Sequence, residues 1–326
     1  MRELVAAEGA LLDRILDATH EIWHENLDRA AYGKYFAAQL ATPWGRKRLR
    51  RVALVEGGEV LASAKLYDFE AALDGRPLRV TGVGAVFTQP RHRGQGAASE
   101  LMSRVLETAR TAGADAALLF SEIGPGFYAR FGFERIATCD LTIRVAKPER
   151  RGAPAMMVRA GEERDLAGMV TMDAARGARF RWRLIRDRHL VHYAIAKRRL
   201  LAGLGSPGAR ELQFFVAEEG GSAVAYVVIS VRGGPAPQWV IDSCGDRDPG
   251  GARLGALLQL LIARDPGAAR PAIAAWLPSG FCPPQMAIVE RAASRDVMMM
   301  KPLSNAARAD PPLTAADVFY WVADTF

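Results

Sequence analysis

Arg91, His92, Arg93, Gly94 and Gly96 stand together in VTGVGAVFTQPRHRGQGAAS, residues 80–99, where a β-rich run gives way to a helical pattern. A glycine turn at such a junction exposes consecutive backbone N–H groups at the positive end of a helix dipole. That is an anion site, and phosphate is its usual occupant. Gly94 and Gly96 let a diphosphate approach the backbone, and Arg91 and Arg93 bring charge to it. A plain turn with solvated arginines fits the same residues, and on this stretch alone the two readings are even. No Gly-Lys-Ser/Thr follows, which excludes a Walker loop. The glycine spacing and the absence of a suitably placed acid disfavour a dinucleotide fingerprint.

The elements that position this turn follow from periodicity. Residues 10–40 place Leu12, Ile15, Leu16, Ile22, Trp23, Leu27 and Tyr35 at the spacing of one or two amphipathic helices. VALVEGGEVLASAKLYDF (52–69) reads as a hairpin around Glu56-Gly57-Gly58-Glu59, and 73–88 as a turn and a strand. Residues 97–113 read as a helix with Leu101, Val105 and Leu106 on one face. AALLFSE (116–122) reads as a buried strand, PGFYARFG (125–132) as a short helix, and 133–145 as one or two strands. KPERRGAPAM (147–156) is a polar linker and a domain boundary.

Beyond the linker the same order recurs. Residues 158–170 begin like 4–16, and 215–231 match the hairpin with Glu219-Gly220-Gly221-Ser222 at the turn. Residues 239–265 match strand, turn and helix, 272–278 the buried strand, and PPQMAIVERA (283–292) the short helix. Five matches in series favour a tandem duplication. The expected layout is a first domain over 1–146, a degenerate second over 157–303, and a tail over 304–326. Laying Gly94 on Gly251 puts Gly96 opposite Arg253 and Arg91 opposite Asp248. Laying Pro125 on Pro283 puts Tyr128 opposite Met286.

Bulk properties narrow the class. With 326 residues, half of them hydrophobic and a quarter charged, the chain suits two globular domains. No apolar stretch approaches the roughly 20 residues that span a bilayer, and the N-terminus does not read as a signal peptide, so the expectation is a cytoplasmic protein without a membrane partner. Cys139, Cys244 and Cys282 show neither metal-ligand nor disulfide spacing; free thiols and no metal are expected. Net charge of +7 suits a polyanionic ligand, an acidic partner or solubility alone. The basic run RFRWRLIRDRH (179–189) reads as a solvated helix face with a buried apolar side rather than a nucleic-acid groove, because no nucleic-acid module accompanies it.

RHRGQGAA resembles the acetyl-CoA signature of the GNAT acyltransferase superfamily, Arg/Gln-x-x-Gly-x-Gly/Ala after the fourth strand. It does so in two registers, Arg91-x-x-Gly94-x-Gly96 and Arg93-x-x-Gly96-x-Ala98. FYARFGF is similar to that superfamily's tyrosine segment, giving Tyr128 and the turn Phe131-Gly132-Phe133. The motifs also resemble fungal lysine N-acetyltransferases and their bacterial relatives. The tandem arrangement is similar to that of enhanced-intracellular-survival acetyltransferases, which carry a further C-terminal sterol-carrier-like domain that a chain of 326 residues is not expected to hold. The implied fold class is α/β (α+β): tandem GNAT folds, each a mixed, mostly antiparallel twisted sheet flanked by helices.

The resemblance implies acetyl-CoA as acyl donor. Its pantetheine arm would pair with Val86, Phe87 and Thr88. Its pyrophosphate would lie on the N–H groups of Arg93, Gly94, Gln95, Gly96, Ala97, Ala98 and Ser99, near Arg91. An N–H of the fourth strand would face the thioester oxygen. Tyr128 would protonate the leaving thiolate, and Ser121 would hydrogen-bond the coenzyme. Glu122, Glu21 and Glu25 are candidate bases, although each taken separately reads more readily as a solvated carboxylate. Trp23 and Tyr35 line an acceptor pocket or pack the core. The carboxylate of Phe326, which ends ADVFYWVADTF, is a further candidate base by the same resemblance. The expected reaction is acetyl transfer to a primary amine of a small molecule. A protein lysine or N-terminal acceptor and a non-catalytic acyl-CoA-binding module are the alternatives, and nothing in the sequence sets an oligomeric state.

Overall fold

Alternating and helical patterns in the first 145 residues become the expected elements, with two additions, a strand at the start and a one-turn helix before the hairpin. A strand, β1 (Arg2–Ala6), precedes helices α1 (Gly9–Trp23), α2 (Arg29–Ala41) and α3 (Gly45–Arg48). The hairpin is β2 (Leu49–Glu56) and β3 (Glu59–Leu73), turning at Gly57 and Gly58 with φ of 56° and 80°. Then come β4 (Arg76–Thr88), α4 (Ala97–Thr111), β5 (Ala116–Ser121), α5 (Gly126–Ala129), β6 (Glu134–Ile136) and β7 (Cys139–Val145). The second half runs β8 (Met157–Ala160), α6 (Leu166–Gly177), β9 (Trp182–Leu184), α7 (Arg188–Leu204), β10 (Arg210–Glu219) and β11 (Ser222–Arg232). It continues with β12 (Gln238–Asp246), α8 (Ala252–Ala263), β13 (Ala272–Ala275), β14 (Met286–Ala293), β15 (Val297–Pro302) and β16 (Val318–Phe319). This computed structural model describes residues 1–146, 156–233, 238–264 and 272–326; most of the expected linker, 147–155, lies outside them.

Two units result, each discontinuous in sequence. The first is Met1–Thr138 with Arg295–Thr314 and Phe326; the second is Cys139–Ser294 with Ala315–Thr325. Along the first sheet the order is β1-β2-β3-β4-β5-β15-β6, and along the second β8-β10-β11-β12-β13-β7-β14. The two orders correspond place by place. Neighbours are antiparallel except β4–β5 and β12–β13, whose parallel pairing needs the crossovers that α4 and α8 provide. Residues 133–145 supply two strands that part company: β6 stays in the first sheet, whereas β7 pairs with β13 and β14. β15 lies between β5 and β6. Strand pairing therefore draws the units elsewhere than the linker composition does.

In the first unit, α4 lays Leu101, Met102 and Val105 on a sheet face made of Leu54, Ala62, Ala64, Leu66 and Val83. Each buried leucine, valine or methionine among them contributes about 1.5–3 kcal/mol. The opposite face is covered by Ile15 of α1 and carries the buried Tyr32 and Phe36 of α2 within the same unit.

Two expectations in the second unit are corrected. PPQMAIVERA is not a short helix: Met286–Ala293 is β14, paired with β7 from Met286↔Val145 to Ala293↔Cys139. The ladder offered by β7, together with β-branched Ile288 and Val289, overrides the helical reading. RFRWRLIRDRH buries its apolar side as expected, but it does so on a strand, and one of its arginines is withdrawn from solvent. Trp182 on β9 is fully buried, and Arg186 is buried between the carboxylates of Asp173 (2.6 Å) and Asp324 (3.1 Å). Those two carboxylates keep Arg186 charged against the cost of burial. Among the three cysteines, all free, Cys244 is buried while Cys139 and Cys282 are exposed.

Candidate active site

The edge of β4 is shaped by a bulge. β3 pairs with β4 from Leu73↔Arg76 to Lys65↔Gly84, and then Ser63 faces Phe87, so β4 holds one extra residue. Ala85 absorbs it at a φ of 47°, a left-handed value that only a bulge would impose on alanine. On its other side β4 pairs with β5 only from Val80↔Ala116 to Gly82↔Leu118. Beyond Gly82, among the described residues, no strand adjoins that side of β4. Main-chain groups around Val86, Phe87 and Thr88 thus border an open edge where an extended ligand can add as a strand.

Immediately downstream lies the glycine turn. Gly94 and Gly96 have φ of 75° and 80°, which their missing Cβ makes cheap. Gly96 caps α4, and the first helical hydrogen bond runs from the Glu100 N–H to the Gly96 carbonyl at 2.9 Å. Ala97, Ala98 and Ser99 precede it, so their N–H groups lack intrahelical acceptors. Glu59 hydrogen-bonds His92 Nε2 at 2.7 Å and ion-pairs with Arg91, and these partners hold its carboxyl below the usual range. Gln95 Nε2 donates to the Arg91 carbonyl at 2.9 Å. Arg93 is exposed. The sequence reading missed Arg130, whose Nη2 donates to Ser99 Oγ at 2.9 Å while its guanidinium lies 4.3 Å from the Phe127 ring centre. The signal was an arginine between aromatics in FYARFGF.

Tyr128 belongs to the same buried cluster as Val83, Ala97 and Leu119, with Val86 packed against it. Its ring meets Phe127 edge-on at 4.9 Å, and burial pushes its hydroxyl pKa above the ordinary value. Among the described residues the hydroxyl has no hydrogen-bond partner. Ser121 Oγ donates to the Gly124 carbonyl at 2.7 Å, so it can only accept from a ligand. Glu122 and Glu21 are exposed, and neither makes an ion pair among the described residues. Trp23 packs edge-on against Phe87 at 6.3 Å, and Tyr35 is buried on α2.

Phe326 belongs to the first unit. Its ring lies 4.5 Å from Tyr67, 5.3 Å from Phe69 and 5.4 Å from Phe120. Gly82 and Gly84 make room for it: a Cβ on Gly82 would stand 2.6 Å from the Phe326 Cζ. One on Gly84 would stand 3.2 Å from its carbonyl carbon and 3.3 Å from its carbonyl oxygen. The main-chain end of Phe326 thus lies one residue from the bulge. Alternate glycines in a strand, V-T-G-V-G, are the signal of such a close approach.

Residues 11–136 match the acetyltransferase (GNAT) domain family. No curated protein matches the chain. Among solved structures, the fold is similar to a probable N-acyltransferase from Enterococcus faecalis V583, with 12% identity over 93% of this chain and 72% of that one and a TM-score of 0.70. It is also similar to Eis1 from Mycobacterium abscessus, with 16% identity over 93% and 74% and a TM-score of 0.53. Saccharomyces cerevisiae N-myristoyltransferase with bound myristoyl-CoA is similar at 10% identity over 97% and 83%, with a TM-score of 0.57.

Proposed function

We propose, from the premise that residues 11–136 are a GNAT acetyltransferase domain and that the chain carrying it is an N-acetyltransferase, that the first unit transfers acetyl from acetyl-CoA to the primary amine of a small molecule. The observation that carries this reading is Tyr128: a buried, protonated, partnerless hydroxyl in the cluster that contains the splayed β4 and the start of α4. In this reading the open edge at Val86–Thr88 holds the pantetheine arm. The N–H groups from Gly94 to Ser99, with Arg91 and Arg93, hold the pyrophosphate, and Ser121 accepts a hydrogen bond from the coenzyme. An amide beside the Ala85 bulge faces the carbonyl oxygen as negative charge develops there. The amine attacks the thioester carbon; a C–N bond forms, the C–S bond breaks, and Tyr128 gives its proton to the departing thiolate. The amine's proton leaves to Glu122 or, where the mature chain ends at Phe326, to its carboxylate beside Gly84. The matching element order of the second unit supports a duplication whose second copy is not catalytic.

Thiol release across a panel of amines tests the reading, with Tyr128→Phe expected to lower kcat about 10²–10⁴-fold at unchanged KM for acetyl-CoA. Because burial raises the Tyr128 pKa above its usual 10, its proton stays on through the neutral range, and the alkaline limb of kcat lies above pH 10. A Tyr128-dependent limb below pH 9 rules this role out. Release of thiol with peptides alone points to a protein acceptor, and coenzyme binding without any turnover points to a binding module. Adding residues after Phe326 is expected to lower kcat at least tenfold, since a carboxylate acting as base contributes about that or more. Unchanged turnover leaves Glu122 as the base.

A further inference from the structure

Arg51 lies on β2 directly opposite Lys65 of β3, and Lys65 is opposite Gly84 of β4. The three therefore share the sheet face that also bears Phe326. Only 3% of Arg51 is exposed, yet its Nε, Nη1 and Nη2 have no hydrogen-bond partner among the described residues. Its guanidinium lies 5.6 Å from the Phe36 ring centre, and Lys65 Nζ lies 5.1 Å from the same ring, so two cations flank one aromatic. The polar groups that oppose the loss of its charge are the hydroxyls of Tyr32 and Tyr67. The acids further along β3 are engaged elsewhere, Asp68 by Arg50 and Glu70 by Arg48. Ser63, on the same face two residues from Lys65, is also fully buried with an unpartnered Oγ.

A guanidinium withdrawn from water without a carboxylate partner is strongly unfavourable, and its planar fork of donors matches a carboxylate in bidentate fashion. We propose that Arg51 anchors an acidic group of the acceptor, so that the amine acetylated here is one that carries a carboxylate, as amino acids and short peptides do. The proposal rests on the acetyl-transfer reading and narrows its substrate class. Two strand spacings, roughly 10 Å, separate the backbones of Arg51 and Gly84. One small molecule spans the gap that remains after the arginine side chain, with its acid at Arg51 and its amine at the bulge. A polycationic acceptor would place like charges against Arg51 and Lys65.

The test offers α-amino acids, their carboxamides, and the amines left when the carboxyl is removed, at fixed acetyl-CoA. The acids are expected to be used with kcat/KM at least tenfold above the matched carboxamides. Arg51→Met is expected to erase that preference by raising KM for the acids ten- to a hundredfold, with a smaller effect on kcat and none on KM for acetyl-CoA. Without substrate, Arg51→Met is expected to melt no lower than the wild-type chain, because methionine fills the slot without an unpaired charge. A clearly lower Tm marks a structural arginine and overturns the proposal, as does equal use of acids and carboxamides. If no amine is acetylated, the acetyl-transfer reading fails by itself. Arg51 is then judged by binding alone: the free amino acids raise the Tm of the wild type and not of the variant, or the proposal fails too.

Discussion

Gly96 and Gly251 cap equivalent helices in the left-handed region, at φ of 80° and 76°, but the charges around them are opposite in sign. Counted back from each cap, Arg91 and Arg93 stand where Asp246 and Asp248 stand, and Gly94 where Pro249 does. This moves the pairing read from the sequence by two residues, because the helix cap, rather than the first glycine met, sets the correspondence. In the second unit Asp246 accepts from the Leu254 N–H at 2.9 Å and the Asp248 N–H at 2.8 Å, so the chain's own carboxylate occupies donors a phosphate would use. The space is filled as well. A Cβ on Gly251 would meet Phe281 at 2.8 Å and Pro283 at 2.9 Å, whereas Gly94 and Gly96 have nothing within 4 Å. The same cap geometry leaves its N–H donors open in the first unit and occupied by Asp246 in the second.

Giving the first turn the Asp-Pro pair of the second breaks the comparison most directly. Arg93→Asp with Gly94→Pro is expected to weaken coenzyme binding at least a hundredfold in a calorimetric titration. Each lost charge-assisted hydrogen bond costs about 1.5–3 kcal/mol, and an acid facing phosphate adds repulsion. A loss under threefold would mean that this turn does not hold the phosphates. The reverse change is smaller. Asp246→Ala removes a carboxylate that bonds two backbone N–H groups, and is expected to cost about 0.5–2 kcal/mol of stability in denaturant unfolding. It creates no second coenzyme site, because Phe281, Pro283 and Gln285 still cover the cap; a stoichiometry of two per chain would refute the blocked reading of this unit.

Much of the first unit was legible from local pattern. The hairpin at Gly57-Gly58, the helix after Gly96 and the short helix bearing Tyr128 all follow from period and turn chemistry acting over a few residues. Gly82 and Gly84 were visible as letters but not as a cradle, since what approaches them comes from Phe326, far along the chain. Arg51 reads from sequence as one more basic residue in RKRLRR; only burial reveals its missing partner. Arg186 was misread for the same reason, its acids lying at 173 and 324.

By itself, the sequence determined most strands and helices of the first unit, and that Arg91 and Arg93 precede one helix cap where Asp246 and Asp248 precede the other. Those properties depend on φ, period and charge within a few residues. Tertiary structure alone decided that β7 joins the second sheet and β15 the first, that β4 parts from β5 after Gly82, and that Phe326 lies beside the bulge. A strand's hydrogen bonds are satisfied by any partner of matching register, so its own residues do not name that partner; the packing of the whole chain does.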